Sequence, residues 1–296
     1  MRPALPVMPF AVATVGIAVF STMDAVMKGL SLAIGAYDAI LWRSVAGTVI
    51  TGTIFIATRT RWPAPAVLRV HLLRGCISGA MTILFFWGLA RVPMAQAVSL
   101  TFIAPLAAML LAAIVLKERI GRGALIGSGI AVAGVGVIFA GQARADLGPK
   151  AALGALAVLG SALCYAWNII LMRQQAQVAK PVEIAFFQTA IVAVLMLAVA
   201  PVFATLPAPP HWLALVGAAM LATTSLMLLS WAYARGRASE LAPSEYTAFI
   251  WASLLGWLVF SETLSPFTLA GAALIICGCL AGLRVRAPVA VMETAL

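Results

Sequence analysis

Asp24 and Lys28 stand four residues apart in an otherwise apolar run, so on a helix they share one face with the acid leading the base. Ionisable groups inside apolar helices are costly and mark functional positions. Two readings remain open for this pair. It senses a zwitterion or a proton beside a cavity, or it is a self-neutralised couple whose lysine reaches toward the interface. Asp38 and Arg43 punctuate the next apolar run, where anchoring near the outer interface is the expected role. Further on, Tyr165, Asn168 and Met172 share a helical face within Cys164-Tyr165-Ala166-Trp167-Asn168 and its continuation. Asn168 is expected either to line a cavity or to hold two helices together by a hydrogen bond. Glu245 and Tyr246 follow Pro243 about one turn into another apolar run. Glu245 is a candidate gate or proton carrier, or else it complements a helix N-terminus. Trp87, Trp167, Tyr246 and Trp251 lie deep enough in their runs to stack on a flat or cationic cargo, or to serve as packing.

No catalytic constellation accompanies these residues. The sequence has no phosphate-cradling glycine loop with Lys-Ser/Thr, no His-Glu-x-x-His, and two histidines, His71 and His211. The four cysteines, Cys76, Cys164, Cys277 and Cys279, lie in apolar runs and read as inert thiols. An enzyme is not expected, nor a cofactor, nor a bound metal.

The elements that must carry these residues are membrane helices. Hydrophobic residues make up 64% of the 296-residue chain, charged ones 9%, and mean hydropathy is +1.08. A soluble surface needs about 25% charged residues. Runs of about 20 apolar residues fall at roughly 5–30, 36–58, 70–90, 94–116, 121–141, 150–173, 181–203, 211–234, 241–260 and 264–284. With the N-terminus in the cytoplasm, fourteen Lys and Arg fall in cytoplasmic segments and three, Arg91, Arg144 and Lys150, outside; Lys28 and Arg43 lie within helices. That asymmetry is the positive-inside bias. It places both termini in the cytoplasm, and it accounts for the net charge of +10 without a nucleic-acid partner. The expected fold is all-α and polytopic, with ten transmembrane helices in a bacterial inner membrane.

A shift of 144 residues superposes Arg91 on Arg235, Glu118 on Glu262, Gly127 on Gly271, Gly134 on Gly278, and Asp24 on Asn168. Two five-helix halves, 1–145 and 146–296, follow. An odd number of crossings inserts the second half upside down, so the repeats are expected to be inverted, with a cargo site between them near the midplane. The junctions Leu116-Lys117-Glu118-Arg119-Ile120 with Gly127 and Gly134, and Phe260-Ser261-Glu262-Thr263-Leu264 with Gly271 and Gly278, resemble those of the EamA-type branch of the drug/metabolite transporter superfamily. Lys117 and Ser261 replace the glycine common in that family before each glutamate. The resemblance implies a carrier of small metabolites, with the fifth and tenth helices as scaffold and a central cavity between the halves. Export of amino acids, aromatic ones foremost, is the leading expectation. Asp24, Trp87, Tyr165, Trp167, Asn168, Tyr246 and Trp251 are the expected cargo contacts, with Lys28 and Glu245 as gate or proton-linked groups. Uptake of a nucleoside-like cofactor or vitamin, or a scaffold without flux, are the alternatives. The expected partners are the cargo and the lipid bilayer; monomer and homodimer both remain open.

Overall fold

The computed structural model describes residues 7–104, 106–108, 110–111, 122–144, 148–233, 235 and 244–284. Among them the elements are ten helices: α1 (Val7–Ile34), α2 (Ala36–Ala57), α3 (Pro65–Leu89), α4 (Met94–Thr101), α5 (Arg122–Arg144), α6 (Gly148–Val178), α7 (Pro181–Phe203), α8 (Pro209–Tyr233), α9 (Thr247–Phe260) and α10 (Pro266–Arg284). Six of them, α1, α2, α3, α6, α7 and α8, contain stretches long and apolar enough to cross a membrane. The other four carry shorter apolar runs. The Glu118 junction, Glu240 and Pro243 lie outside the described residues.

Local chemistry sets the helix boundaries. Proline opens α3, α7, α8 and α10, where its missing N–H costs nothing and its fixed φ already suits a helix. Between α1 and α2 the sequence reading leaves a short loop, but one residue suffices. Gly35 turns the chain at φ +84, a conformation that favours glycine. At the other extreme, α3 begins five residues earlier than its apolar run. Arg69, His71 and Arg74 dilute the hydropathy of that first stretch, but Pro65 starts the helix regardless.

The end of the bundle that carries Gly35 is termed upper here. Contacts between helix ends then fix the direction of each helix. Lys28 near the top of α1 meets Val92 at the end of α3 and Glu262 beyond α9. Asp38 at the start of α2 meets Thr205 beyond α7. At the lower end, His71 early in α3 meets Glu183 early in α7, and Arg74 meets Gln175 late in α6. So α1, α3, α7 and α9 run upward, and α2 and α6 run downward. Under the 144-residue shift α6 is the counterpart of α1, α7 of α2 and α9 of α4, which starts at the upper end. Counterparts therefore run in opposite senses.

The packing has the same exchange symmetry. Helix α3 packs on α6 as α8 packs on α1, α3 on α7 as α8 on α2, and α1 on α9 as α6 on α4. The most extensive pairing joins α5 to α10. Glycines bring these two backbones together: a Cβ on Gly134 would fall 2.7 Å from Gly271 O, and one on Gly278 would fall 2.5 Å from Gly127 O. The shift maps each of these contacts onto the other. These glycines thus pack the two halves against each other.

Candidate functional site

Helix α1 carries a buried polar stripe. Ser21, Asp24, Lys28 and Ser31 recur at intervals of three and four, which places them on one face, and each is at most 6% exposed. The expected pairing of Asp24 with Lys28 does not form. Lys28 reaches across to the second half and pairs with Glu262. Its Nζ also donates to Val92 O at 2.7 Å and sits 5.2 Å from the centroid of the Phe260 ring. The other Glu262 oxygen accepts from Met94 N at 2.7 Å. Ser261 adopts a left-handed conformation, φ 54, which ends α9 and turns the glutamate back over it. Gly256 leaves room for that return, since a Cβ there would lie 2.6 Å from Glu262 Oε2. One lysine and one carboxylate thereby tie together the upper ends of α1, α3, α4 and α9. The i,i+4 spacing gave Lys28 a local option, but a carboxylate already held by Met94 N is the better partner.

Asp24 faces Arg43 instead, and each feels the other's charge. No direct hydrogen bond or ion pair joins them. Asp24 Oδ1 and Arg43 Nε are both buried without a hydrogen-bond partner. Arg43 is thus not the interface anchor expected for it; its guanidinium lies over the Phe86 ring at 5.9 Å. Asp38 fastens the start of α2 to the end of α7, accepting from Thr205 N at 3.0 Å and from the Thr205 hydroxyl.

Asn168 belongs to a buried network that the sequence did not reveal. Its Oδ1 accepts from Arg74 Nε at 2.8 Å and its Nδ2 donates to Ser78 Oγ at 3.0 Å. Arg74 also donates to Gln175, whose amide meets His71 Nδ1, and His71 Nε2 lies 3.0 Å from Glu183. Every bond is satisfied by a neutral imidazole carrying its proton on Nε2, a tautomer assigned from the network itself. The network ties α3, α6 and α7 together at the lower end. Arg74 counts among the cytoplasmic-side charges in the sequence, yet it lies nine residues inside α3 and is 8% exposed. The available signal was Pro65, which moves the helix start back far enough to bury it.

Tyr165 is placed unusually on its helix. On α6 the exposed face is Leu153, Leu156, Leu163 and Trp167. The opposite face is buried through Val158, Ser161, Ala162 and Asn168. Tyr165 points from the middle of that buried face and is deep within the protein mass. It is nevertheless 37% exposed. Its exposure lies on the buried side of α6, opposite the Leu153–Trp167 stripe. Glu245, itself exposed, and Arg74 both act electrostatically on the Tyr165 hydroxyl. Tyr246 packs edge-on against Phe102 at 5.3 Å, and Trp251 has a buried indole N–H without a partner.

Two of the expected contacts are placed otherwise. Trp167 shares the exposed apolar stripe of α6. Trp87 is covered by its own i+4 neighbour: the Arg91 guanidinium stacks 3.6 Å from the ring centroid. Trp231 and Arg235 repeat that stack at 4.3 Å in the second half, at the same interval of 144 residues. Two clefts are apolar and peripheral. One lies between α2, α7 and α8 around Thr51, Val182 and Leu226, the other between α1, α8 and α9 around Val26, His211 and Phe260. Neither is lined by the polar residues above. Among the described residues no group of three His, Cys, Asp or Glu is placed to hold a metal.

Comparison with known proteins agrees with this geometry. The EamA-like transporter family matches the chain twice, over residues 9–140 and 152–283. The pseudopaline exporter CntI of Pseudomonas aeruginosa is 26% identical over 270 residues, spanning 90% of this chain and 93% of its own. An uncharacterized transporter of Helicobacter pylori is 25% identical over 282 residues, 93% of each. A solved crystal structure of 20% identity superposes with a TM-score of 0.61 over 94% of this chain and 98% of its own, which speaks for the fold alone.

Proposed function

The chain belongs to the EamA-like transporter family and is a multi-pass membrane protein, and from that premise we propose that it is a secondary transporter exporting amino acids, with aromatic ones favoured, across a bacterial inner membrane. Ten crossings arranged as two inverted halves, 1–145 and 146–296, with both termini cytoplasmic, make the upper end the outer one. Alternating access then follows from rocking one half against the other around a central cavity.

The observation that carries the reading is Tyr165, accessible in the middle of an otherwise buried helix face. Asp24, Tyr165, Asn168, Tyr246 and Trp251 are the proposed cargo contacts, the rings holding an apolar side chain. Trp87 and Trp167 have the weaker claim, one covered by Arg91 and the other on the outer stripe. Lys28 with Glu262 forms the outer gate, closed in this conformation. Glu245, exposed and acting on Tyr165, guards the inner side. The two Pseudomonas and Helicobacter relatives support transport, and the first supports export.

Flux of labelled aromatic and aliphatic amino acids into proteoliposomes, with and without a pH gradient, tests the proposal. Saturable aromatic flux, competed by unlabelled analogues, is the expected result. If no amino acid moves, the amino-acid assignment falls and uptake of a cofactor or vitamin takes its place.

A further inference from the structure

We propose that Asp24 and Arg43 together form the site for a zwitterionic head group, the aspartate taking an ammonium and the arginine the carboxylate beside it. This rests on the transport reading above and names the chemistry of its cargo. Gly35 folds α2 back along α1. At a rise of about 1.5 Å per residue, Asp24 lies about 15 Å and Arg43 about 10 Å below that turn, so the antiparallel pair holds them at neighbouring depths. Asp24 is 4% exposed. Arg43 is half-buried; the two lie within electrostatic reach of each other, yet no bond joins them, and each keeps a buried atom unpaired, Asp24 Oδ1 and Arg43 Nε.

A structural ion pair would close that gap. Charges in a membrane protein's interior are costly unless paired, and direct contact is the simplest remedy. Other routes out are taken by their neighbours. Lys28 has Glu262 and Val92 O, and Asp38 has Thr205. The remaining separated pair presents an acceptor on one helix and a donor on the next. An α-amino acid carries the complementary dipole, with ammonium and carboxylate on adjacent atoms. A cargo bearing one charge satisfies one partner and leaves the other buried without compensation, so the site selects against amines and acids alike.

The test uses purified full-length protein in nanodiscs and competition against labelled phenylalanine. Leucine serves as a second labelled zwitterion. The competitors are phenethylamine, which lacks the carboxylate, and phenylpropionate, which lacks the ammonium. In the wild type neither should compete within about tenfold of phenylalanine. Asp24→Asn should weaken phenylalanine about tenfold or more and let phenylpropionate compete as well as the amino acid; Arg43→Gln should do the same for phenethylamine. That exchange of selectivity is not produced by a folding defect, and Asp24→Glu and Arg43→Lys, if monodisperse, should keep the wild-type order. Zwitterion binding with both analogues competing equally in the wild type overturns the site while leaving amino-acid transport standing. Binding of the amine or acid but of neither zwitterion overturns both, as does binding of no member of the set.

Discussion

At the scale of single residues, partner choice is what the sequence conceals. Lys28 has an acid four residues away and takes one 234 residues away. Asp24, left behind, faces a residue from the next helix. Residue type and helical face were legible for both, because they follow from spacing. The partner was not, because a desolvated charge pairs wherever the tertiary fold brings the most hydrogen bonds. Asn168 and Tyr165 test the same distinction from the other side. Asn168 holds Arg74 and Ser78 in the lower network, so Asn168→Ala strands a buried guanidinium N–H. It should cost about 1–3 kcal/mol of stability as well as transport. Tyr165→Phe removes only a hydroxyl, and its thermal midpoint in detergent should stay near wild type, within about 0.5 kcal/mol. Transport by that variant should still fall severalfold. Normal flux through Tyr165→Phe would mean that this hydroxyl is not on the cargo path.

At the scale of elements, the helix pattern was largely readable, since proline and long apolar runs announce it. The α3 boundary shows where that fails. A polar first stretch lowers the hydropathy there, so the apolar run opens at 70, five residues after the helix itself, and Arg74 is counted with the cytoplasmic charges. The glycines were readable as a face but not as a contact. Their structural meaning is that α5 and α10 approach closely enough for backbone to meet backbone, Gly134 against Gly271 and Gly278 against Gly127. A side chain cannot be absorbed there by rotating a neighbour, because the obstacle is a carbonyl oxygen. Gly134→Ala should therefore destabilise the protein by about 1–3 kcal/mol. Its 144-shifted counterpart Gly278→Ala should cost a similar amount. By contrast Gly129, which has no atom within 4 Å of its would-be Cβ, should accept alanine without loss. Thermal midpoints of the three variants, measured in one detergent, check the ordering. A Gly129→Ala protein as unstable as Gly134→Ala would show that helix propensity, not the interhelical approach, governs these positions.

At the scale of the whole molecule, the halves are alike in packing but unlike in how their ends are fastened. The 144-residue shift carries Lys28 onto Met172. The upper closure therefore has a cation that the second half lacks at the same register. On the alternating-access mechanism proposed above, an interaction present in one packing and missing from the other sets the resting population. The upper-closed state has the Lys28–Glu262 pair, two further hydrogen bonds around it and the Phe260 ring beneath the ammonium. Lys28→Met makes the first half resemble the second and removes that bias. It leaves Glu262 with Met94 N, so the junction itself keeps one tie. The expected result is a shift toward the upper-open state. A cysteine placed at Ser31, buried on the same polar stripe above Lys28, reports it in a background freed of the four native cysteines. A membrane-impermeant maleimide added from outside should label Ser31→Cys about tenfold faster with Lys28→Met than without it, the population change that about 1.4 kcal/mol produces. Faster labelling from the cytoplasmic side instead would invert the assigned orientation. Unchanged labelling from both sides would remove Lys28 from the gate and leave it a fixed strut between the halves.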